Sequence, residues 1–368
     1  MARLSGFAQR GTNVDDLGSI KRSLMLLAVI ASFCALYLAR DLFLPIAAAV
    51  LLALTLSPVV RTLSRFGLPA PLSAFILITS TGTILIIAAY LLSGPLTDLI
   101  SQAPRMGTEL RYKLAGLLEA MRLIQEASKH VEELSGSGTQ TPKVTIEQPG
   151  LVVFAAGTTA TIISLSAVAL VLAFFLLASG DLFYIKLVES VPTFSDKRRA
   201  VGIVRAVERQ MSHYLLTVML INAVLGFCLG LAMYAMGMPN PLLWGALGFA
   251  LNFVPFIGAI VGTLAVAAVG VLTFEPLLSG LLPAALYLAI TTLEGHLITP
   301  TIVGRRLELN TVSVLLALIV WSWLWSIPGA LMAVPFLVLL KVISDNTKGL
   351  QTLGNFLGTH TLRDKVVT

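Results

Sequence analysis

The sequence predicts an all-α fold, a polytopic helical membrane protein. Of its 368 residues, 57% are hydrophobic and only 12% are charged, and the mean hydropathy is +0.90. Soluble domains carry about 25% charged residues because their surfaces are hydrated. Apolar runs of membrane-spanning length recur along the chain, and in lipid their backbone groups must be paired within each segment, which predicts helices.

Six segments are predicted to cross the membrane fully. A crossing needs about 20 mostly apolar residues, because about 30 Å of hydrocarbon must be spanned. Five segments satisfy this requirement, and the sixth, 276–293, is slightly short but uncharged. The five are 23–39, 42–60, 71–92, 151–178 and 215–237.

Two further apolar stretches, 242–274 and 311–340, are too long for one crossing and are interrupted. Asn252, Pro255 and Gly258 lie inside the first, and Pro328-Gly329 lies inside the second. Proline removes a backbone donor and glycine loosens the backbone, so each stretch is predicted to break there into two short legs. This gives about eight membrane segments in all.

The positions of basic residues favour one of two topologies. Arginine and lysine in short loops lie on the cytoplasmic side. If both long stretches are re-entrant hairpins, entering from opposite faces, every basic loop is cytoplasmic, including Arg61, Arg65 and Arg305-Arg306. Broken single spans remain the alternative. The N-terminal arm, 1–22, and the C-terminal tail, 343–368, are both predicted to be cytoplasmic. Residues 215–342 are predicted to form the transport core.

Two segments outside the membrane are predicted to be helical. Apolar residues recur at helical spacing over 96–134, within an extracytoplasmic segment at 93–150, and Pro104 is expected to kink or divide this helix. Its apolar stripe must be covered by another subunit or by the membrane surface. Residues 135–149 are predicted to be a linker, and the cytoplasmic segment 179–214 is predicted to be amphipathic.

Enzymatic motifs are missing from the sequence. It contains no GxxxxGK[ST] loop, no HExxH and no GxSxG, and its two cysteines match no metal spacing. We therefore predict a protein that is not an enzyme and has neither a cofactor nor a metal site. The net charge of +6 does not indicate a nucleic-acid partner, because the basic residues flank apolar segments.

The helix breaks are the strongest functional signal. Backbone that stops being helical inside a bilayer exposes amides and carbonyls, which transporters use to bind ions and polar solutes. Asn252 could belong to such a site or merely cap a helix. Glu294 and His296 could carry a proton or cation, or lie among headgroups. Pro328-Gly329 could line the substrate path or form an interfacial turn beside tryptophans. Asn222 is more typical of helix–helix hydrogen bonding.

Several of these residues match family motifs. The run from Asn252 to Gly258, the series Glu294, Pro300, Gly304 and Leu309, and the turn Pro328-Gly329 resemble motifs of the autoinducer-2 exporter family of bacterial inner-membrane proteins. With these motifs, the candidate substrate or ion site comprises Asn252, Pro255, Gly258, Glu294, His296, Pro300, Gly304, Pro328 and Gly329.

The residues and the resemblance together predict a secondary transporter of the bacterial inner membrane. The resemblance implies an exporter of a small polar solute such as autoinducer-2, or of a monovalent cation in exchange for protons. It also implies a homo-oligomer, with a pentamer as the expected form. Two alternatives stay open: a channel or passive permease lined by the same breaks, and a membrane scaffold that recruits partners through its outer helix.

Overall fold

A computed structural model describes residues 12–127, 150–180, 194–303, 309–347 and 349–358. Within these ranges the chain forms helices and short turns and no β-strand, apart from one isolated bridge between Leu309 and Gly358. The predicted all-α fold is confirmed for the part of the chain described.

The described residues form twelve helical elements. In chain order they are α1 (Thr12–Leu38), α2 (Arg40–Arg65), α3 (Ala70–Ala127), α4 (Gly150–Ala178), α5 (Phe194–Ala235), α6 (Pro241–Leu251), α7 (Ile257–Thr273), α8 (Leu277–Leu293), a π-helix (Glu294–Ile298), α9 (Thr299–Val303), α10 (Thr311–Asn346) and α11 (Gln351–Leu357).

Among the described residues, five helical stretches are long and apolar enough to cross a bilayer. They are Arg40–Arg65, Ala70–Ser101, Val201–Ala235, Leu277–Val303 and Thr311–Asn346. The apolar parts of α1 and α4 whose side chains are described, Ser23–Leu38 and Ser164–Ala178, are shorter. Large apolar side chains on α1, such as Leu24 and Met25, are exposed, as expected for residues that face lipid or another subunit. The structure supports a multi-pass membrane protein, and the count of six full crossings with two re-entrant hairpins stays a prediction.

The predicted break in 242–274 is present. Helix α6 ends at Leu251, α7 begins at Ile257, and Phe256 between them has a left-handed φ of 63°. Helix α6 packs antiparallel on α5, because Gly230 lies against Pro241 and Gly245, while Gly226 lies against Gly245 and Phe249. A Cβ on Gly226 would lie 2.7 Å from the backbone oxygen of Gly245, so this helix contact requires glycine.

Helices α7 and α8 form the other half of this unit. Their glycines Gly270 and Gly280 approach each other backbone to backbone near the α7–α8 turn, and Gly262 lies against Tyr287 farther along both helices. The two helices therefore run antiparallel. Trp244 on α6 and Val266 and Val269 on α7 belong to one buried cluster with Leu229 and Met233 of α5. The α5–α6 and α7–α8 turns therefore lie at one end of the unit, and the break between α6 and α7 lies at the other end.

The second interrupted stretch also reverses direction, but not at the predicted residues. Trp325 and Ser326 have non-helical backbone angles, with φ of −132° and 55°. The rings of Trp321 and Phe336, which would lie roughly 22 Å apart along a straight helix, stack with their centroids 4.2 Å apart. Pro328 follows the break in the first turn of the second leg, where proline is well tolerated because that N–H has no helical partner.

Helices α2, α3 and α4 form a separate packed group. Ala49 on α2 and Ala169 and Ala173 on α4 are buried against one another. The group is joined to α5 and α10 through a cluster that contains Leu54, Met211 and Leu318. The small alanines let α2 and α4 approach closely, as is common between helices in membranes.

Two helices extend beyond the predicted crossings. Helix α3 continues from its apolar half to Ala127, so Pro104 does not divide it, and the described part of the predicted outer helix is continuous with the third apolar helix. Likewise α5 runs from Phe194 to Ala235, so residues 194–214 of the predicted cytoplasmic segment are continuous with the fifth predicted crossing. The linker at 135–149 and the loop around Arg305-Arg306 lie outside the described residues.

Candidate functional site

Four polar side chains from different elements meet beside the first break. They are Asn222 on α5, Asn252 at the C-terminal end of α6, Glu294 in the π-helix and Thr299 on α9. We call these four residues the polar cluster. Asn222 and Glu294 are 2% and 6% exposed, so the centre of the cluster is shielded by protein.

Asn252 connects two other residues of the polar cluster through hydrogen bonds. Its amide nitrogen Nδ2 donates to Asn222 Oδ1 at 2.8 Å and to Glu294 Oε2 at 3.3 Å. Its backbone terminates α6 and its own N–H still bonds to Gly248 O. Asn252 is thus both a helix end and a member of the site, so the two interpretations open at the level of sequence are compatible.

Glu294 is a buried carboxylate held by donors. Oε2 accepts from Asn252, and Oε1 accepts a hydrogen bond from the Thr299 hydroxyl. Among the residues described, no lysine, arginine or histidine forms an ion pair with Glu294. An ionised carboxylate that is removed from water is costly without a compensating charge. The cluster therefore combines a shielded carboxylate with amide and hydroxyl groups.

The π-helix brings Thr299 to Glu294. A π-turn joins residues five apart, and the backbone N–H of Thr299 donates to the Glu294 carbonyl. The same geometry carries the Thr299 hydroxyl to the Glu294 carboxylate. Single π-turns are frequent at functional sites because they re-aim side chains within a helix.

Asn222 offers a free donor. Its Oδ1 accepts from Asn252, and its own Nδ2 is buried without a hydrogen-bond partner in the described part of the protein. The orientation of this amide follows from the network, because Asn252 Nδ2 donates to both of its partners and so requires an acceptor from Asn222. An unsatisfied buried N–H costs about 1–3 kcal/mol, which an oxygen of a bound solute would offset.

The remaining residues predicted around the first break have other positions. His296 is exposed, with Nδ1 3.1 Å from the carbonyl oxygen of Thr292, and Pro300 is also exposed. Pro255 lies in the break and is half-buried. Gly258 is buried, and a Cβ there would overlap the carbonyl of Leu251, which gives this glycine a packing role. Gly304 lies outside the described residues.

Pro328 and Gly329 belong to the second hairpin of α10. A Cβ on Gly329 would overlap the carbonyl of Trp321, so this glycine permits the two legs to meet. Trp325 donates from Nε1 to Leu36 O on α1 at 3.2 Å. The first break reaches this hairpin through Val254, which packs against its core cluster, and none of the described hydrogen bonds links the polar cluster to Pro328 or Gly329.

Thr299 was not predicted from the sequence, and Asn222 was interpreted as a residue of helix–helix packing and not as part of a site. Nothing in the sequence around Thr299 marks a π-turn, which depends on a shift of backbone pairing. Asn222 was visible as a polar residue in an apolar run, but its contact with Asn252 depends on the antiparallel packing of α5 and α6.

Long apolar helices around a buried, charged polar cluster at a helix break define the chain as a helical membrane transport protein. The chain belongs to the AI-2E family of transporters, whose family model matches residues 26–349. The resemblance predicted from the sequence is confirmed.

Three relatives cover nearly all of the chain. It is 28% identical over 351 residues to the AI-2 transport protein TqsA of Escherichia coli K12, covering 94% of this chain and 97% of TqsA. It is 27% identical over 342 residues to "Putative transport protein YhhT" of the same organism, covering 91% and 93%. A similarly named protein of Borreliella burgdorferi is 27% identical over 322 residues, covering 87% and 86%.

Proposed function

We propose that the protein is a secondary transporter that moves a small polar solute or a monovalent cation across the bacterial inner membrane, with the polar cluster as its binding site. The observation that carries this proposal is Glu294, a carboxylate only 6% exposed and without a basic partner in the described structure. Ionisable groups at such positions in membrane proteins are expensive and usually serve an ion or substrate pathway.

Coupling would operate through Glu294. A proton or sodium ion neutralises the carboxylate and lowers the cost of keeping it buried, whereas loss of that ion leaves an uncompensated charge inside the protein. Binding and release of that ion can therefore bias two conformations of the site. Thr299 and Asn252 would hold the carboxylate oxygens in place for the ion.

A polar solute would complete the hydrogen bonds of the cluster. Asn222 Nδ2 requires an acceptor, and the carboxylate of Glu294 can accept from a hydroxyl or bind a cation. TqsA is named as an AI-2 (autoinducer-2) transport protein. We propose autoinducer-2 as a first candidate solute here, moved outward.

The depth of the break supports this location. The 11 residues of α6 extend about 16 Å, which is about half of the 30 Å hydrocarbon thickness. The 17 residues of α7 extend about 25 Å, so if the α5–α6 and α7–α8 turns lie at the outer surface, the break lies about 16–25 Å below it, within the hydrocarbon. The first hairpin would then be re-entrant from outside, and α10 would enter from the cytoplasm, as the basic residues favour.

Movement would separate two packed groups. The unit of α5 to α8 is held by glycine contacts between backbones, and α2, α3 and α4 form the other group. We propose that these groups move relative to each other and expose the polar cluster alternately to the two sides. A homo-oligomer, with a pentamer as the working model, would cover part of the exposed apolar surface of α1 and α3.

The test is uphill transport by the purified full chain in proteoliposomes. Autoinducer-2 and radioactive sodium are supplied separately, with an imposed pH gradient in either direction. Saturable accumulation of one of them against its own gradient, abolished by an ionophore that collapses the pH gradient, is the expected result. Flux that only dissipates gradients and does not saturate would instead identify a channel. The absence of flux of any probe would favour the scaffold alternative.

A further inference from the structure

A second site lies away from the polar cluster, in a cavity of about 670 Å³ between α2, α4, α5 and α10. Its polar end is formed by Ser57, Arg61 and Ser64 on α2 and by Glu208 on α5. Arg61 Nη1 and Glu208 Oε1 form an ion pair at 3.0 Å, and the Ser57 hydroxyl donates to the same carboxylate oxygen at 3.3 Å.

Most of the remaining cavity lining is apolar. It includes Val50, Ala53 and Leu54 of α2, Leu177 of α4 and Leu339 of α10. Of the described residues that line the cavity, only Arg61 and Glu208 are charged. A path for a small polar solute would need polar groups along its length, whereas one charged pair in an apolar lining suits an amphipathic molecule.

The dimensions match one leaflet of a bilayer. From Ser64 to Val50 the lining of α2 extends about 21 Å at the rise of an α-helix. One leaflet has about 15 Å of hydrocarbon and about 6 Å of headgroup region. An acyl chain could therefore occupy the apolar part while its headgroup remained beside Arg61.

The charge favours an anionic headgroup. The Arg61 side chain is 51% exposed, whereas that of Glu208 is 11% exposed, so the cation is the accessible partner of the ion pair. A guanidinium has five N–H donors, and the contact with Glu208 leaves several of them for phosphate oxygens. Arg65, one turn after Arg61 on α2, and Arg209, next to Glu208 on α5, are also exposed and add positive charge at this end.

We propose that this cavity binds an anionic phospholipid, with one acyl chain between α2, α4 and α10 and the phosphate on Arg61. The lipid would bridge the α2–α4 group and α5, so its presence would contribute to the stability of the contact between them. The proposal is independent of the transported solute, because the cavity shares no residue with the polar cluster.

The test is a count of bound lipid on the purified full-length protein by native mass spectrometry, with phosphatidylglycerol or phosphatidylcholine added to delipidated samples. The variants are Arg61→Gln, which removes charge at the polar end, and Ala53→Phe, which fills the apolar part. The matched control is Arg40→Gln, at the opposite end of the same helix, where Arg40 pairs with Asp41 at 3.8 Å.

The wild type and Arg40→Gln should bind one phosphatidylglycerol per chain, and Arg61→Gln should weaken binding by at least about tenfold, as expected for a lost charged hydrogen bond. Ala53→Phe should abolish the bound lipid. Equal retention by Arg61→Gln and Arg40→Gln would overturn the proposal, as would equal affinity for phosphatidylcholine. Because the larger side chain in Ala53→Phe could prevent folding, Arg61→Gln, which changes no volume in the core, decides the question by itself.

Discussion

Asn252 and Glu294 are joined by a hydrogen bond of 3.3 Å although they lie 42 positions apart in sequence. The bond connects the end of α6 with the π-helix after α8, and therefore connects the first helix break with the buried carboxylate. Since Asn252 also donates to Asn222 at 2.8 Å, this one amide holds three elements together. The break in the helix is thus part of a polar site as well as a change of chain direction.

Loss of the Asn252 amide should destabilise the protein. In Asn252→Ala the buried oxygens of Asn222 and Glu294 each lose a donor, at a cost of about 1–3 kcal/mol. We expect the Tm in detergent to fall by several degrees and the affinity for solute to fall with it. Asn346→Ala is the control, because Asn346 is exposed and its one side-chain hydrogen bond within the described structure is to Val342 O in its own helix. Equal Tm values for the two variants would show that the Asn252 side-chain amide does not contribute to the stability of the protein.

The two glycines beside the breaks should not tolerate a methyl group. In Gly258→Ala and Gly329→Ala the new Cβ would overlap the carbonyls of Leu251 and Trp321. Overpacking of this kind costs about 1–3 kcal/mol or more, because backbone must shift. Gly295→Ala is the matched control, since no described atom beyond its chain neighbours and its own helix backbone lies within 4 Å of the Cβ position. Thermal melts and the yield of folded protein should separate the first two variants from Gly295→Ala and the wild type.

The reversal of α10 can be measured as a distance. Spin labels that replace Trp321 and Phe336, whose rings are 4.2 Å apart, should give short separations. Labels at Val204 and Met219, with the same sequence spacing on the continuous helix α5, should lie roughly 22 Å apart along the axis. Cys34 and Cys228 are replaced first. A long distance for the first pair would mean that α10 is one straight helix.

The proposed topology predicts which side of the membrane each turn faces. Cysteines that replace Asn240 and Glu275, in the two turns that flank the first hairpin, should react with an impermeant reagent added outside intact cells. Cysteines at Arg65 and Arg306 should react only after the membrane is opened, because basic loops stay in the cytoplasm. Labelling of the cysteine at 306 from outside would refute oppositely oriented re-entrant hairpins.

Much of the fold was predictable because the bilayer imposes simple rules on sequence. The excess length of 242–274 and its Pro255 indicated the break that the structure has between Leu251 and Ile257. The break in α10 was predicted in the right stretch but at Pro328, whereas it lies at Trp325 and Ser326. Proline is compatible with the first turn of a helix, so a Pro-Gly pair can follow a break rather than form it.

The site was predictable only in part. Asn252 and Glu294 attract attention as polar residues in or beside apolar runs, but their contact depends on the antiparallel packing of α5 to α8. Thr299 requires a π-turn that the sequence does not encode visibly. His296 has the right chemistry and the right spacing from Glu294, yet its side chain is exposed and faces the carbonyl of Thr292. Of this pair, the structure places Glu294 in the polar cluster and His296 outside it.

The most direct test compares Glu294→Gln with His296→Gln in proteoliposomes, using the probe and the gradient that the wild type transports. Glutamine keeps the size of Glu294 and an acceptor oxygen but removes its charge. We expect Glu294→Gln to fold and to lose at least about 90% of coupled flux, which corresponds to about 1.4 kcal/mol or more, while His296→Gln stays close to the wild type. Undiminished uphill flux in Glu294→Gln would contradict a transport site built on the buried carboxylate.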